Sequence, residues 1–132
     1  MSVDVTQDFR GYLISSSSLT SLVPSADIRV GWSTMVDNFP CVIIQQSAGT
    51  DVGYLGYNQA TAGTKVRREL VSLQIDIYSQ TSKHNVDSIA DVIVPIMISG
   101  GCRKVSDTDM FHDDLGTHRK TQIYSVTRFH DD

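Results

Sequence analysis

The sequence contains little of what would indicate a disulfide scaffold, a membrane protein or a nucleic-acid-binding protein. It has only two cysteines, Cys41 and Cys102, and no run that approaches the roughly 18 apolar residues a membrane span needs. Its 11 Lys and Arg are scattered over the whole length against 15 Asp and Glu, which gives a net charge of −4. We therefore expect reduced thiols, no membrane partner and no sequence-specific nucleic-acid partner.

Glutamate is nearly absent, and this bears on the fold. Glu69 is the single Glu, so the remaining acidic residues are all Asp. Asp favours caps and turns over helix interiors, which indicates a chain rich in strands and turns. With 40% hydrophobic residues, a chain of this length can bury a core without help from a metal or a disulfide. We predict one domain, residues 1–132.

The spacing of apolar residues predicts the elements of the first third of the chain. Apolar residues three and four apart indicate a helix that ends at about Ile14. A short helical segment capped by Ser18 should follow it. Two strands are predicted next, at residues 27–32 and 40–46. The second is apolar on both faces, so we expect it to be a central strand.

The clearest strand in the sequence is predicted at residues 70–79. Its odd-numbered positions from Val71 to Ile77 are apolar, whereas Ser72, Gln74, Asp76 and Tyr78 form the other face. A helix capped by Thr81 or Ser82 should come after it, shortened or kinked at Pro95 and ended by two glycines. The apolar stripe predicted for that helix consists of Val86, Ile89, Ala90, Ile93 and Met97.

Two more strands, at residues 103–112 and 117–130, should form a hairpin at the end of the chain. The Asp-rich turn between them contains Asp113 and Asp114. The resulting order of elements predicts an α+β fold, with a mostly antiparallel sheet and two helices packed on one of its faces.

A glycine-rich segment, residues 47–64, interrupts this pattern. It contains four glycines, and Tyr54, Leu55 and Tyr57 are its only large side chains. We predict a long projecting loop or hairpin, because segments of this length without apolar periodicity are usually functional or disordered. The tyrosines either fold back on the domain or contact a partner. Arg67 and Arg68 either form a solvated strand edge or pair with acidic residues of a neighbouring subunit.

A search for catalytic and ligand-binding motifs indicates no enzyme class. The sequence lacks a Gly-rich phosphate-binding motif, a CxxC pair, an HExxH motif and a GxSxG serine. His112 and His118 flank the Asp-rich turn and could share a metal with Asp113 or Asp114. Solvated Asp and His residues are typical of turns, so we favour a solvated acidic turn. We predict no catalytic residue, no cofactor and no metal.

The order of these segments resembles a family of bacteriophage proteins. The resemblance is carried by YLISSSSLTSLVPSADIRVGWSTMVDNFPCVIIQQ, a glycine-rich loop, VSLQIDIYSQTSKHNVDSIADVIVPIM and the final QIYSVTRF. It covers residues 5 to 130 and lies in the order and spacing of the segments. The family is that of the tail-completion proteins of long-tailed phages, also called tail terminators or tail-to-head joining proteins.

The resemblance implies a structural role in the virion. Members of that family have an α+β fold and work as hexameric rings that cap the tail tube, stop its growth and join the tail to the head connector. It therefore implies three partners: identical subunits, the major tail tube protein and a neck protein of the head. It also implies a protein made in the host cytoplasm that ends up at the tail–head junction. We place the interface, by hypothesis, at Tyr54, Leu55, Tyr57, Arg67 and Arg68.

Three other functions stay open at the level of sequence. A head-completion or connector-adaptor protein of the phage neck would also be a small α+β protein that forms rings. A small soluble binding module of bacterial origin belongs to a second class. An enzyme or metalloprotein that uses the region between His112 and His118 belongs to a third.

Overall fold

The structure is a computed structural model, and it describes residues 5–31, 39–55, 66–113 and 116–131. The elements in chain order are α1 (Val5–Ile14), α2 (Ser17–Thr20), a 3-10 turn (Ser25–Asp27), β1 (Ile28–Val30), β2 (Cys41–Leu55), β3 (Val66–Ser79), α3 (Lys83–Ser99), β4 (Arg103–His112) and β5 (Thr117–Asp131).

The described strands form one five-stranded sheet in the order β1-β2-β3-β5-β4. β1 runs parallel to β2, and the other three pairs are antiparallel. The predicted mostly antiparallel α+β fold is therefore confirmed. β2 lies between β1 and β3, as its apolar character on both faces predicted.

The helices cover one face of this sheet, and the core lies between the two layers. Val71, Leu73, Ile75 and Ile77 of β3 are all fully buried, which confirms the predicted alternation. The apolar positions predicted for the second long helix are also all buried in α3. The helical residues of the core cluster are Val5, Phe9, Leu13, Leu19, Val86, Ile89, Ala90, Ile93 and Met97.

The ends of the helices differ in detail from the predictions. The hydroxyl of Ser16, and not that of Ser18, accepts the capping hydrogen bond of α2 from the Leu19 N–H. Ser82 caps α3, one of the two residues predicted for that role. α3 continues past Pro95 to Ser99, so the proline does not shorten the helix. Packing of the apolar stripe compensates for the one hydrogen bond that proline cannot donate.

In the segment predicted to be a projecting loop or hairpin, residues 47–64, the described part forms one strand of a hairpin. β2 continues through residues 47–55 as a strand, paired with β3 until Leu55 lies opposite Val66. Two register shifts, between Gln46 and Ala48 and between Asp51 and Gly53, accommodate residues that break the ladder. Residues 56–64 lie outside the described residues. The end predicted for this strand, at residue 46, was wrong, because a neighbouring strand supplies backbone hydrogen bonds that the local composition does not reveal.

Gly100 marks a close approach between α1 and the end of α3. A Cβ atom at this position would lie 2.6 Å from Cε1 of Phe9, whose ring is almost completely buried and packs edge-on against Tyr12 at a centroid distance of 5.2 Å. The backbone of Gly100 is unstrained, with φ at −80°. Space, and not conformation, therefore requires glycine here.

We expect the substitution Gly100→Ala to lower the free energy of unfolding by about 1–3 kcal/mol, because it overpacks the core against Phe9. Gly11→Ala is the matched control, since a Cβ there meets no atom within 4 Å. Gly11 lies inside α1, so alanine should raise stability by up to about 1 kcal/mol. Urea unfolding of the two variants checks the pair, and effects of the same sign would contradict the packing shown here.

Candidate functional site

The far end of the β2–β3 hairpin brings together four of the five predicted interface residues. Tyr54 lies directly opposite Arg67 in the register, and the next positions pair Gly53 with Arg68 and Leu55 with Val66. These positions were proposed from two separate stretches of sequence, and the antiparallel ladder makes them neighbours. Tyr57, the fifth residue, lies outside the described residues. We call the paired positions 53–55 and 66–68 the hairpin tip.

A third strand lies beside the hairpin tip, and the sequence did not reveal it as a partner. Arg67 pairs in register with His130 and Arg68 with Phe129, so β5 runs beside β3 up to this end. Val66 precedes Val71, the first core residue of β3, by five positions. At about 3.3 Å per residue, the tip lies some 17 Å beyond the core. The projection is therefore a three-stranded extension of the sheet, which is stiffer than a free loop.

A buried carboxylate forms the centre of a polar network on the sheet face opposite the helices. Asp76 is 2% exposed, and both of its oxygens accept hydrogen bonds. Oδ1 accepts from Nε and Nη2 of Arg119 at 3.2 and 3.0 Å and from the Thr121 hydroxyl at 2.6 Å. Oδ2 accepts from the side-chain amides of Gln45 and Gln74, each at 3.1 Å. We call these five residues the Asp76 network.

The Asp76 network ties together the three central strands, because its members come from β2, β3 and β5. The guanidinium of Arg119 also lies over the ring of Tyr78, 5.5 Å from its centroid. Burial raises the pKa of Tyr78, and Asp76 adds to this effect while Arg119 opposes it. From sequence, Gln74 and Asp76 were placed on a polar outer face. The alternation was right, but the nearly complete burial of Asp76 was missed.

A second group of charges joins α3 to the last two strands. Lys83 and Asp87 of α3 pair at 2.9 Å, and Lys120 of β5 contacts Asp87 at 3.1 Å and Asp109 of β4 at 3.2 Å. The pairs with Lys83 and Lys120 hold the pKa of Asp87 below its usual value. Burial opposes the charged form of Lys120, but the two carboxylates outweigh it and raise its pKa. The alternating signs position the helix on the sheet.

The two histidines considered as metal ligands lie on different sides of the final hairpin. Phe111 is opposite His118 in the register, and their rings are 4.7 Å apart. His112 is the next residue along β4, so it occupies a position of the other face. Within the described part of the chain, no group of three or more His, Cys, Asp or Glu residues is arranged to hold a metal ion. Asp114 is outside the described residues.

Both cysteines are buried, and they form no disulfide with each other. Burial raises the pKa of the Cys102 thiol to about 12, so this thiol is protonated and unreactive near neutral pH. Cys41 is 2% exposed and begins β2. The two residues therefore act as small apolar side chains.

The outer edge of the sheet is formed by β4, and it differs from the rest of the sheet in its exposure. Eight of its ten residues are exposed, among them three large apolar side chains, Val105, Met110 and Phe111. Within the described residues, β4 pairs with β5 alone. The acidic character of this segment follows from its place at the edge, where Asp107 and Asp109 remain solvated on one side.

Comparisons with known proteins identify the fold. No protein-family model matches the chain, and no curated protein matches its sequence. Among solved structures, a chain from the "Virion of native gene transfer agent (GTA) particle" has a similar fold, with a TM-score of 0.64 and 8% sequence identity. The match covers 96% of this chain and 95% of that chain. At this identity, the likeness is one of fold.

Among the described residues, no helix combines the length and the hydropathy required to cross a bilayer.

Proposed function

We propose that this chain is a structural protein of a phage-like virion, and that it forms a ring that caps the tail tube, ends its growth and joins the tail to the head connector. The single observation that carries the proposal is the shared fold with a chain of a gene transfer agent virion, over nearly the full length of both chains. The resemblance of the sequence to the tail-completion family supports the same role.

The geometry of the sheet suits a ring of identical subunits. Contacts between different surfaces of identical chains close into a ring when the rotation between subunits allows it. The hairpin tip extends some 17 Å beyond the core, which is far enough to reach a neighbouring subunit or the end of a tube. Its sequence adds Tyr54 and Leu55, which offer contact area, and Arg67 and Arg68, which can pair with carboxylates.

The polar groups of the described residues support a role without catalysis. The Asp76 carboxylate accepts five hydrogen bonds from four side chains, so its lone pairs are occupied by the fold itself. The thiol of Cys102 is buried and protonated. The Lys and Asp residues between α3 and the sheet neutralise one another. These groups stabilise the fold.

A replacement of the segment between the two strands of the hairpin tip tests the proposal. Because Leu55 pairs with Val66, a two-residue Asn-Gly turn in place of residues 56–65 closes the hairpin and keeps the described strands. We expect the variant to fold with an unchanged thermal midpoint and to fail in tail completion, because Tyr57 and the other residues between Leu55 and Val66 are lost from the contact. Electron microscopy of particles made with the variant should show heads without tails and tubes of irregular length.

The control replaces the turn at residues 113–116, between β4 and β5, by the same Asn-Gly pair. His112 pairs with Thr117, so this hairpin also closes, at the opposite end of β5. We expect normal particles. Normal particles with the variant that lacks residues 56–65 as well would remove that segment from the mechanism.

Particles made without the chain distinguish the two neck functions. A tail terminator is required for uniform length, so its loss should give tubes of irregular length. Loss of a connector-adaptor protein would instead give free tails of uniform length beside finished heads. Unaltered infectious particles would contradict both roles.

A further inference from the structure

The β4 edge presents ten residues of backbone that, within the described part of the chain, are paired on one side only. At about 3.3 Å per residue, this edge is some 33 Å long. It contains no proline, and the exposed fractions of Val105, Met110 and Phe111 are 58%, 43% and 53%. A long edge strand with exposed apolar side chains is a template for another strand.

The order of charges along β4 indicates which strand fits there. The strand begins with Arg103 and Lys104, and Asp107 and Asp109 come later. When two copies of such a strand run antiparallel with Lys104 of one opposite Asp109 of the other, residues 103–110 of the two strands pair, and the basic start of each lies beside the acidic part of the other. Opposite charges across a ladder stabilise the pair, whereas charges of one sign repel.

We propose that β4 pairs antiparallel with β4 of a second copy of this chain, so that the free protein forms a two-fold symmetric dimer with a continuous ten-stranded sheet. The backbone ladder supplies the attraction, the charge order sets the direction, and the exposed Val105 and Met110 lie within the contact. A two-fold contact closes on itself and is separate from the hairpin tip assigned to the ring. The dimer goes beyond the proposed function, and each can fail without the other.

A pair of charge reversals tests the dimer. Lys104 and Asp107 form an ion pair with each other, with side chains 31% and 34% exposed, so neither reversal should cost much folding energy. We expect the wild type to sediment as a monomer–dimer equilibrium. Asp107→Lys gives a mainly basic strand and Lys104→Asp a mainly acidic one, and each should weaken self-association at least tenfold. An equimolar mixture of the two variants should recover the dimer, now as a heterodimer.

Asp113→Lys is the matched control for Asp107→Lys, because it makes the same change in net charge at an exposed turn residue just beyond the strand. It should leave dimerisation unchanged. Hydrogen exchange should show slower exchange of β4 amides in the dimer than at monomeric dilution. Three results would overturn the proposal: a wild type that stays monomeric at all concentrations, a dimer that both reversals leave intact, or single variants whose mixture does not dimerise. Circular dichroism confirms that each variant is folded.

Discussion

Replacing Asp76 by alanine is expected to lower the free energy of unfolding by about 3–5 kcal/mol, a large part of the stability of a domain of this size. The change removes the acceptor for five hydrogen bonds. It leaves the amide of Gln45, itself 5% exposed, and the guanidinium of Arg119 without their partner. A buried donor that loses its acceptor keeps its desolvation penalty, and this penalty is larger for a charged donor. Urea unfolding measures the difference.

Two further variants test whether the loss comes from the network. Asp91→Ala removes an exposed aspartate from α3, and it should change stability by less than about 0.5 kcal/mol. Asp76→Asn retains the shape and one carbonyl acceptor, so it should fold and show a smaller loss than alanine. In a double-mutant cycle, Arg119→Ala should cost less in the Asp76→Ala background than in the wild type. Additive losses would mean that the two side chains do not stabilise each other.

Replacing Ile75 by alanine should lower the free energy of unfolding by about 2–5 kcal/mol, because it leaves a cavity in the core. Ile75 is fully buried in the middle of β3, between the sheet and the helices. Its register neighbours are Ile44 of β2 and Gln122 of β5, so strands surround it on both sides and little collapse is possible. The measurement is again urea unfolding. The midpoint should fall, while the slope of the free energy of unfolding against urea concentration stays unchanged.

The neighbouring residue provides the control for Ile75. Gln74 points to the other face and donates one hydrogen bond to Asp76, so Gln74→Ala should cost about 1 kcal/mol. Val105→Ala, at an exposed position of β4, should be nearly neutral. If the Ile75 and Gln74 substitutions caused equal losses, the assignment of faces along β3 would be wrong.

Residues whose position depends on local pattern were predicted correctly from the sequence. The stripe from Val86 to Met97 defined the buried face of α3, and the alternation from Val71 to Ile77 defined that of β3. Both are consequences of helix and strand periods, which need no knowledge of the partner. The Asp-rich turn, in which Gly116 has a φ of 59°, was predictable for the same reason. Asp and Gly favour turns through their own conformational preferences, which do not depend on distant residues.

The candidate site was predicted only in part. Tyr54 and Arg67 were chosen for their side chains, and their direct opposition emerged from the register of β2 on β3. The same pairing extends β2 through residues 47–55, which the sequence had assigned to a loop or hairpin and not to the strand predicted to end at residue 46. Local composition cannot report the hydrogen bonds that a strand receives from its neighbours, so this boundary required the sheet.

The sequence by itself determined the class of fold, the buried faces of α3 and β3 and the central place of β2, because hydrophobic periods and strand composition are local properties. The tertiary structure decided that β5 lies between β3 and β4. It thereby also decided the burial and the hydrogen bonds of Asp76. Arg119 and Thr121 are separated from Asp76 by 43 and 45 positions in the chain. They meet it because β5 adds to the sheet beside β3, and only that pairing turns a residue of a polar face into a buried, fully bonded carboxylate.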